Sequence, residues 1–154
     1  MIKTNSRSDQ LKIKKACVDD IPQILKLYAQ IDNNETLSIK EAETIFNKFG
    51  EYPDYSLYVA KTGNKVVGTY ELLIMDNLAH KGTPSGIVED VVVDSELRSQ
   101  GIGKRMMEYA MDICRKRGCY KLTLSSSIQR EKAHRFYENL SFRKHGYSFL
   151  IELD

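Results

Sequence analysis

The sequence predicts a single α/β (α+β) domain: a mixed, mostly antiparallel central sheet of six to seven strands, flanked by about four helices. Three observations carry that expectation. Short apolar strands alternate with amphipathic helices along all 154 residues, a length that can enclose one substantial core. A tight turn, Thr62-Gly63-Asn64, joins two apolar runs as a hairpin. Finally, the apolar run from Ser85 to Val93 passes through a loop with two glycines directly into a helix.

Taken in order, residues 1–10 are polar and read as a lead-in, and 11–154 read as the domain. Leu11 to Ala16 alternates apolar and basic residues and forms the first strand. Asp19 or Asp20 caps a helix with Pro22 in its first turn and a stripe of Ile21, Ile24, Leu25 and Tyr28. Ser38 and Glu41 have the spacing of a capping box. The helix they open carries Ile39, Ala42, Ile45, Phe46 and Phe49 on one side and stops at Gly50. Ser56 to Lys61 and Lys65 to Met75 are the hairpin strands, and Asp76 to Pro84 is a polar connection. The helix from Gly101 to Arg117 buries Ile102, Met106, Ala110, Ile113 and Cys114. It ends in three cations and Gly118, as the helix dipole and a left-handed cap favour. A strand from Tyr120 to Ser125 makes a parallel step, followed by a helix from Arg130 to Leu140. Segments near Phe142 and from Tyr147 to Glu152 close the sheet.

Composition removes several function classes. A net charge of +2 is too small to point to nucleic acid or an anionic membrane. No apolar run approaches the roughly 18 residues that span a bilayer, and the first residues lack the apolar core of a signal peptide. Three cysteines without a CxxC pair read as free thiols in a reducing cytoplasm. The three histidines are scattered, so no metal is expected. A homodimer is left open.

The chemistry concentrates between Glu89 and Lys104. The first amides of a helix lack intrahelical acceptors, and the dipole places partial positive charge there. Gly101 and Gly103 let a phosphate approach that backbone without an intervening Cβ. Lys104 is followed by Arg105 rather than Ser or Thr, which excludes a P-loop, and the third glycine of a dinucleotide fingerprint is missing. Upstream, Glu89 and Asp90 are candidate bases, and strand alternation sends them to opposite faces.

Arg98-x-x-Gly101-x-Gly103 after a Val-rich strand, with Ala133-His134-Arg135-Phe136-Tyr137 later in the chain, resembles the GCN5-related N-acetyltransferase (GNAT) superfamily over nearly the whole chain. Glu89-Asp90-Val91-Val92-Val93 and Gly118-Cys119-Tyr120-Lys121 resemble its glucosamine-6-phosphate acetyltransferases. Arg130-x-x-Ala133-His134-Arg135-Phe136-Tyr137 resembles its aminoalkylphosphonate acetyltransferases. Two positions depart from the pattern: Arg130 stands where Asn is usual, and Ser141 where Gly commonly precedes the aromatic residue.

The resemblance implies a GNAT fold and acetyl-CoA as donor, held between the Val91 and Tyr120 strands. Arg98, Ser99, Gln100, Gly101, Ile102, Gly103 and Lys104 would receive its pyrophosphate, and the backbone of Val91, Val92 and Val93, with Arg130, its pantetheine arm. It further implies Glu89 as base, Tyr137 as acid toward the departing thiolate, and Asp90 and His134 as contacts to a small-molecule amine. Other acceptors to weigh are protein N-termini or lysines. A non-catalytic acyl-CoA sensor is the reading from a different class.

Overall fold

Runs rich in β-branched and aromatic residues make the three longest of five strands in the residues that the computed structural model describes, 10–31 and 35–153. The polar lead-in expected over 1–10 lies outside them, apart from Gln10. The strands are β1 (Lys12–Lys15), β2 (Tyr55–Thr62), β3 (Lys65–Met75), β4 (Ser85–Val93) and β5 (Leu122–Thr123), and they form one sheet in that order. The first four pair antiparallel, with the hairpin register closing at Thr62 and Lys65. β4 and β5 pair parallel at Gly86–Leu122 and Ile87–Thr123, the step expected from the intervening helix.

The described residues also form four α-helices: α1 (Ile21–Tyr28), α2 (Ile39–Phe49), α3 (Ile102–Lys116) and α4 (Glu131–Asn139). Ser38 and Glu41 close the capping box of α2 reciprocally, at 2.9 and 3.3 Å. At α1 the cap takes another form. Asp20 occupies the N-cap position with Pro22 in the first turn, but its buried carboxylate accepts from the Cys17 amide at 3.1 Å and from Lys61 Nζ at 2.7 Å. The acid thereby ties the helix entry to β2.

α3 packs on the sheet through Met106, Met107 and Ala110, all fully buried. Burying a side chain of methionine size contributes about 1.5–3 kcal/mol relative to leaving it exposed. Two glycines permit the approach: a Cβ on Gly68 would stand 2.6 Å from Met106 Sδ, and one on Gly86 2.5 Å from Cys114 Sγ. These contacts hold the first half of α3 against β3 and its last turn against the start of β4.

The chain divides into two compact units, Met1–Thr123 and Leu124–Asp154. The second contains α4, and among the described residues the sheet has five strands rather than six or seven. The expected strand from Tyr120 to Ser125 contracts to Leu122–Thr123, and the segments near Phe142 and Tyr147–Glu152 form no strand. A strand must pass its amides and carbonyls to a neighbour, and the only regular element described within 124–153 is α4. Tyr147, Phe149 and Leu150 are exposed there. Apolar pattern alone predicted these strands and could not supply their pairing.

α3 and α4 end in the same hydrogen-bond pattern with different residues. After α3, Gly118 (φ +70°) donates to Arg115 O, and Cys119 N–H donates to Cys114 O. After α4, Ser141 (φ +69°) donates to Glu138 O, Phe142 N–H to Tyr137 O, and the Phe142 ring meets Tyr137 at 5.7 Å. Both are Schellman caps, but the second places a serine where glycine carries no Cβ penalty. Ser141→Gly is therefore expected to stabilise the α4 cap by about 1 kcal/mol, read as slower hydrogen exchange at the Phe142 amide. Unchanged or faster exchange would contradict this account of the cap.

Candidate active site

β4 leaves its ladder in the middle. Thr69 pairs with Val92 and Glu71 with Glu89, so one residue of β3 faces two of β4, Asp90 and Val91. This is a β-bulge, and Asp90 takes a left-handed backbone at φ +48°. The bulge overrides the alternation expected for the two acids. Glu89 and Asp90 are both exposed, between the buried Val88 and Val92. On its other edge β4 pairs with β5 only as far as Ile87. Among the described residues, no strand is assigned to that edge from Val88 to Val93.

The strand then runs into the glycine loop. Asp94 is buried, accepts from the Glu96 amide at 3.2 Å and pairs with Lys65 at 3.0 Å, which anchors the loop start. Arg98 is exposed, and its Nε lies 3.4 Å from Val93 O. Ser99 (φ +64°) and Gly101 (φ +81°) are both left-handed, and such alternation turns successive amides toward one concavity. A Cβ on Gly101 would meet nothing within 4 Å, so open space lies over the loop. Arg105 N–H makes the bond to Gly101 O at 3.1 Å. The amides of Ile102, Gly103 and Lys104 precede it in the first turn, which has no intrahelical acceptors. The Ile102 side chain is buried, while Gln100 and Lys104 are exposed, Lys104 3.8 Å from Glu108. Ile102 thus offers its backbone to a ligand and its side chain to the core.

A third carboxylate, absent from the sequence-based site, joins the two on β4. Glu71 is half-buried on β3 and accepts a hydrogen bond from the Tyr55 hydroxyl of β2. Burial pushes its carboxyl above the ordinary carboxylate range; Tyr55 works against this, and the charges of Asp90 and Glu89 add to it. Glu89 is raised too, first by burial and then by Asp90. Tyr55 and Tyr28 are raised by burial and by the same carboxylates, so both hydroxyls keep their protons. The signal was present in the sequence: Glu71 is the one charge in the run from Val66 to Ile74. Among the described residues, no group of His, Cys, Asp and Glu is arranged to hold a metal ion, and no helix is long and apolar enough to cross a membrane.

The remaining predicted residues belong to the second unit. Arg130 is exposed at the start of α4, and its amide donates to Ser127 O at 3.0 Å. His134 Nε2 lies 2.8 Å from Ser127 O, so the ring is tied to the loop preceding its own helix. Tyr137 is half-buried, with its ring against Phe136 at 5.0 Å as well as Phe142.

Residues 21–142 match the acetyltransferase (GNAT) family. The chain is similar to the glucosamine 6-phosphate N-acetyltransferase of Trypanosoma brucei brucei, 39% identical over 89 residues, which are 58% of this chain and 58% of that protein. It is also similar to the aminoalkylphosphonate N-acetyltransferase of Salmonella typhimurium, 26% identical over 97% of both chains. Among solved structures, the glucosamine-6-phosphate N-acetyltransferase of Arabidopsis thaliana superposes with a TM-score of 0.82 at 27% identity. That match covers 95% of this chain and all of the other.

The crowding of acids gives a test with a definite sign. Asp90→Asn removes a negative charge that holds the Glu89 proton, so the Glu89 midpoint falls, by about one pH unit or less. A carboxyl-carbon NMR titration measures it. An unchanged midpoint would show that Asp90 does not act on Glu89.

Proposed function

Because the chain belongs to the acetyltransferase (GNAT) family, we propose that this acyltransferase moves an acetyl group directly from acetyl-CoA to the primary amine of a small metabolite. The observation that carries the reading is the run of open backbone from β4 into α3. An edge with no partner strand among the described residues is followed by left-handed Ser99 and Gly101 and then by the first turn of a 15-residue helix. The edge suits an extended amide-bearing arm such as pantetheine, which can add like a strand. The loop suits a pyrophosphate. When bound, the donor supplies a thioester carbonyl and a thiolate leaving group.

Each residue has a distinct task in this reading. The amides from Arg98 to Lys104 receive the phosphate oxygens, with the side chains of Arg98 and Lys104 adding charge. Hydrogen bonds to charged groups contribute about 1.5–3 kcal/mol each, so a few suffice for a firm anchor. The backbone of Val91, Val92 and Val93 aligns the arm, and the Val91 amide steadies the acetyl oxygen as it gains charge. Arg130 contacts the arm. An alkylammonium is neutral only about once in a thousand molecules at pH 7, so Glu89 accepts its proton. Asp90 and His134 orient the acceptor, and Tyr137 protonates the departing thiolate.

A covalent acyl-enzyme is not part of this scheme. Cys114 is buried and its thiol is pushed up to about 12, first by burial and then by Cys119, which disfavours a nucleophilic thiolate. The free cysteines suit a reducing, cytoplasmic setting. The named activities of the relatives, on an amino sugar phosphate and on aminoalkylphosphonates, make phosphorylated or phosphonylated amines the first acceptors to try.

A thiol-release screen with amino sugars, aminophosphonates, polyamines, aminoglycosides and peptides tests this reading. Release with a small amine is expected. Release with peptides alone would move the acceptor to proteins, and CoA binding without release would leave a sensor. Tyr137→Phe should lower kcat about tenfold or more while the acetyl-CoA Kd stays close to that of the unmodified protein. Wild-type turnover would remove the acid role. Gly103→Ala, inside the first turn of α3, should raise stability by about 0.5–1 kcal/mol yet weaken CoA binding. Tighter or equal binding would contradict the pyrophosphate site.

A further inference from the structure

We propose that Glu71 is a positioning residue for acetyl transfer: its charge, held across the β3–β4 register from Glu89, governs how readily Glu89 takes the proton of the acceptor amine. The inference rests on the transferase reading above and adds to it a residue outside the motifs that suggested that reading. Three features of the structure support it.

The first is register. Glu71 and Glu89 are direct cross-strand partners, and residues opposite each other on antiparallel strands share a face, with Cβ atoms about 4.5–5.5 Å apart. Like charges so placed repel. The bulge at Asp90 intensifies this by bringing a third carboxylate to the same turn of backbone.

The second is the fixing of Glu71. It is half-buried, and the Tyr55 hydroxyl donates to its Oε2. The Tyr28 hydroxyl of α1 is enclosed in the same neighbourhood, near Thr69 and Glu71, with no geometric hydrogen bond of its own. A carboxylate held by the Tyr55 hydroxyl keeps one place while it titrates, so its charge acts on Glu89 from a fixed position.

The third is the lack of compensation. The titratable groups facing Glu71 are Tyr28 from α1, Tyr55 from β2, and Glu89 and Asp90 from β4. Among the described residues, no Lys, Arg or His forms an ion pair with Glu71, Glu89 or Asp90. Elsewhere in this chain buried carboxylates are neutralised, Asp20 at the start of α1 by Lys61 and Asp94 just after β4 by Lys65. Here the negative charge accumulates, and the protons belong to the group of carboxylates rather than to one of them.

The proton balance is simple. An N–H bond of the acceptor ammonium breaks, an O–H bond forms on Glu89, and the freed nitrogen lone pair bonds to the thioester carbon; the C–S bond then breaks, the thiolate takes the Tyr137 proton, and the nitrogen's second proton returns to the tyrosinate. With Glu71 ionised, Glu89 holds the incoming proton more strongly; with Glu71 neutral, less.

Glu71→Gln tests the proposal, since the amide oxygen still accepts from Tyr55 and the fold is kept. Two readouts are taken on the full chain. In a carboxyl-carbon NMR titration without ligands, the native protein should show Glu71 and Glu89 titrating in two linked steps, the upper one above the ordinary glutamate range. In E71Q the upper step should vanish and the Glu89 midpoint should fall by roughly one unit. In the pH profile of kcat/KM, the acid limb should move down by a similar amount, while the acetyl-CoA Kd is unchanged. A Glu89 midpoint unmoved by E71Q overturns the proposal, and so does an acid limb that stays in place. Absence of turnover in the native protein would instead overturn the transferase reading, and the ligand-free titration would still decide whether Glu71 acts on Glu89.

Discussion

Strand β4 carries two obligations that conflict. One edge must pair with β3 to hold the sheet together, and among the described residues no strand pairs with the backbone beyond Ile87 on the other edge. The bulge at Asp90 reconciles them. Seven register pairs tie β4 to β3, each hydrogen bond in such a ladder contributing about 0.5–1.5 kcal/mol net. Against that, a left-handed aspartate costs about 1–2 kcal/mol. The ladder dominates, so the sheet tolerates the interruption. What the interruption provides is two adjacent exposed carboxylates on a strand whose pairing resumes at Val92 and Val93 and leads into Asp94 and the loop.

The helix packing serves the same end. α3 lies tightly on β3 and β4 because Gly68 and Gly86 give up their side chains to Met106 and Cys114. Its first turn, with three amides lacking intrahelical acceptors, is therefore held in a fixed relation to the strand that precedes it. Asp94 secures the intervening loop through Lys65 and the Glu96 amide. A preorganised anion site needs little rearrangement on binding, which is where affinity is otherwise lost. Electrostatics then separates the two ends: the loop is positive through its amides, Arg98 and Lys104, while the bulge is negative through Glu71, Glu89 and Asp90.

Much of this was legible in the chain. The strand from Ser85 to Val93, the hairpin turn, the Ser38–Glu41 box and the helix after Gly101 all follow from local pattern, and local interactions decide them. The site loop was legible for the same reason, since glycine spacing and helix polarity are properties of a short segment. The bulge was not, because it depends on how two strands count residues against each other. Strict alternation therefore assigned Glu89 and Asp90 to opposite faces. Glu71 was missed because its meaning lies across the register, in Glu89 and Tyr55, although a lone charge in an apolar run was the available sign. The closing strands near Phe142 and Tyr147 were expected from their apolar content. A strand exists only with a partner edge, which no single segment encodes. Ser141 shows the opposite case: a departure from the usual glycine leaves the cap geometry intact and alters only its cost.

In the proposed reading, one continuous stretch of backbone, from the bulge to the first turn of α3, receives the donor. Amide chemical shifts recorded while CoA is added test it most directly. The predicted result is that the largest perturbations and new hydrogen-exchange protection fall on Val91 to Val93 and on Ser99 to Lys104 together. Perturbations that leave both segments unmoved while CoA binds elsewhere would contradict it.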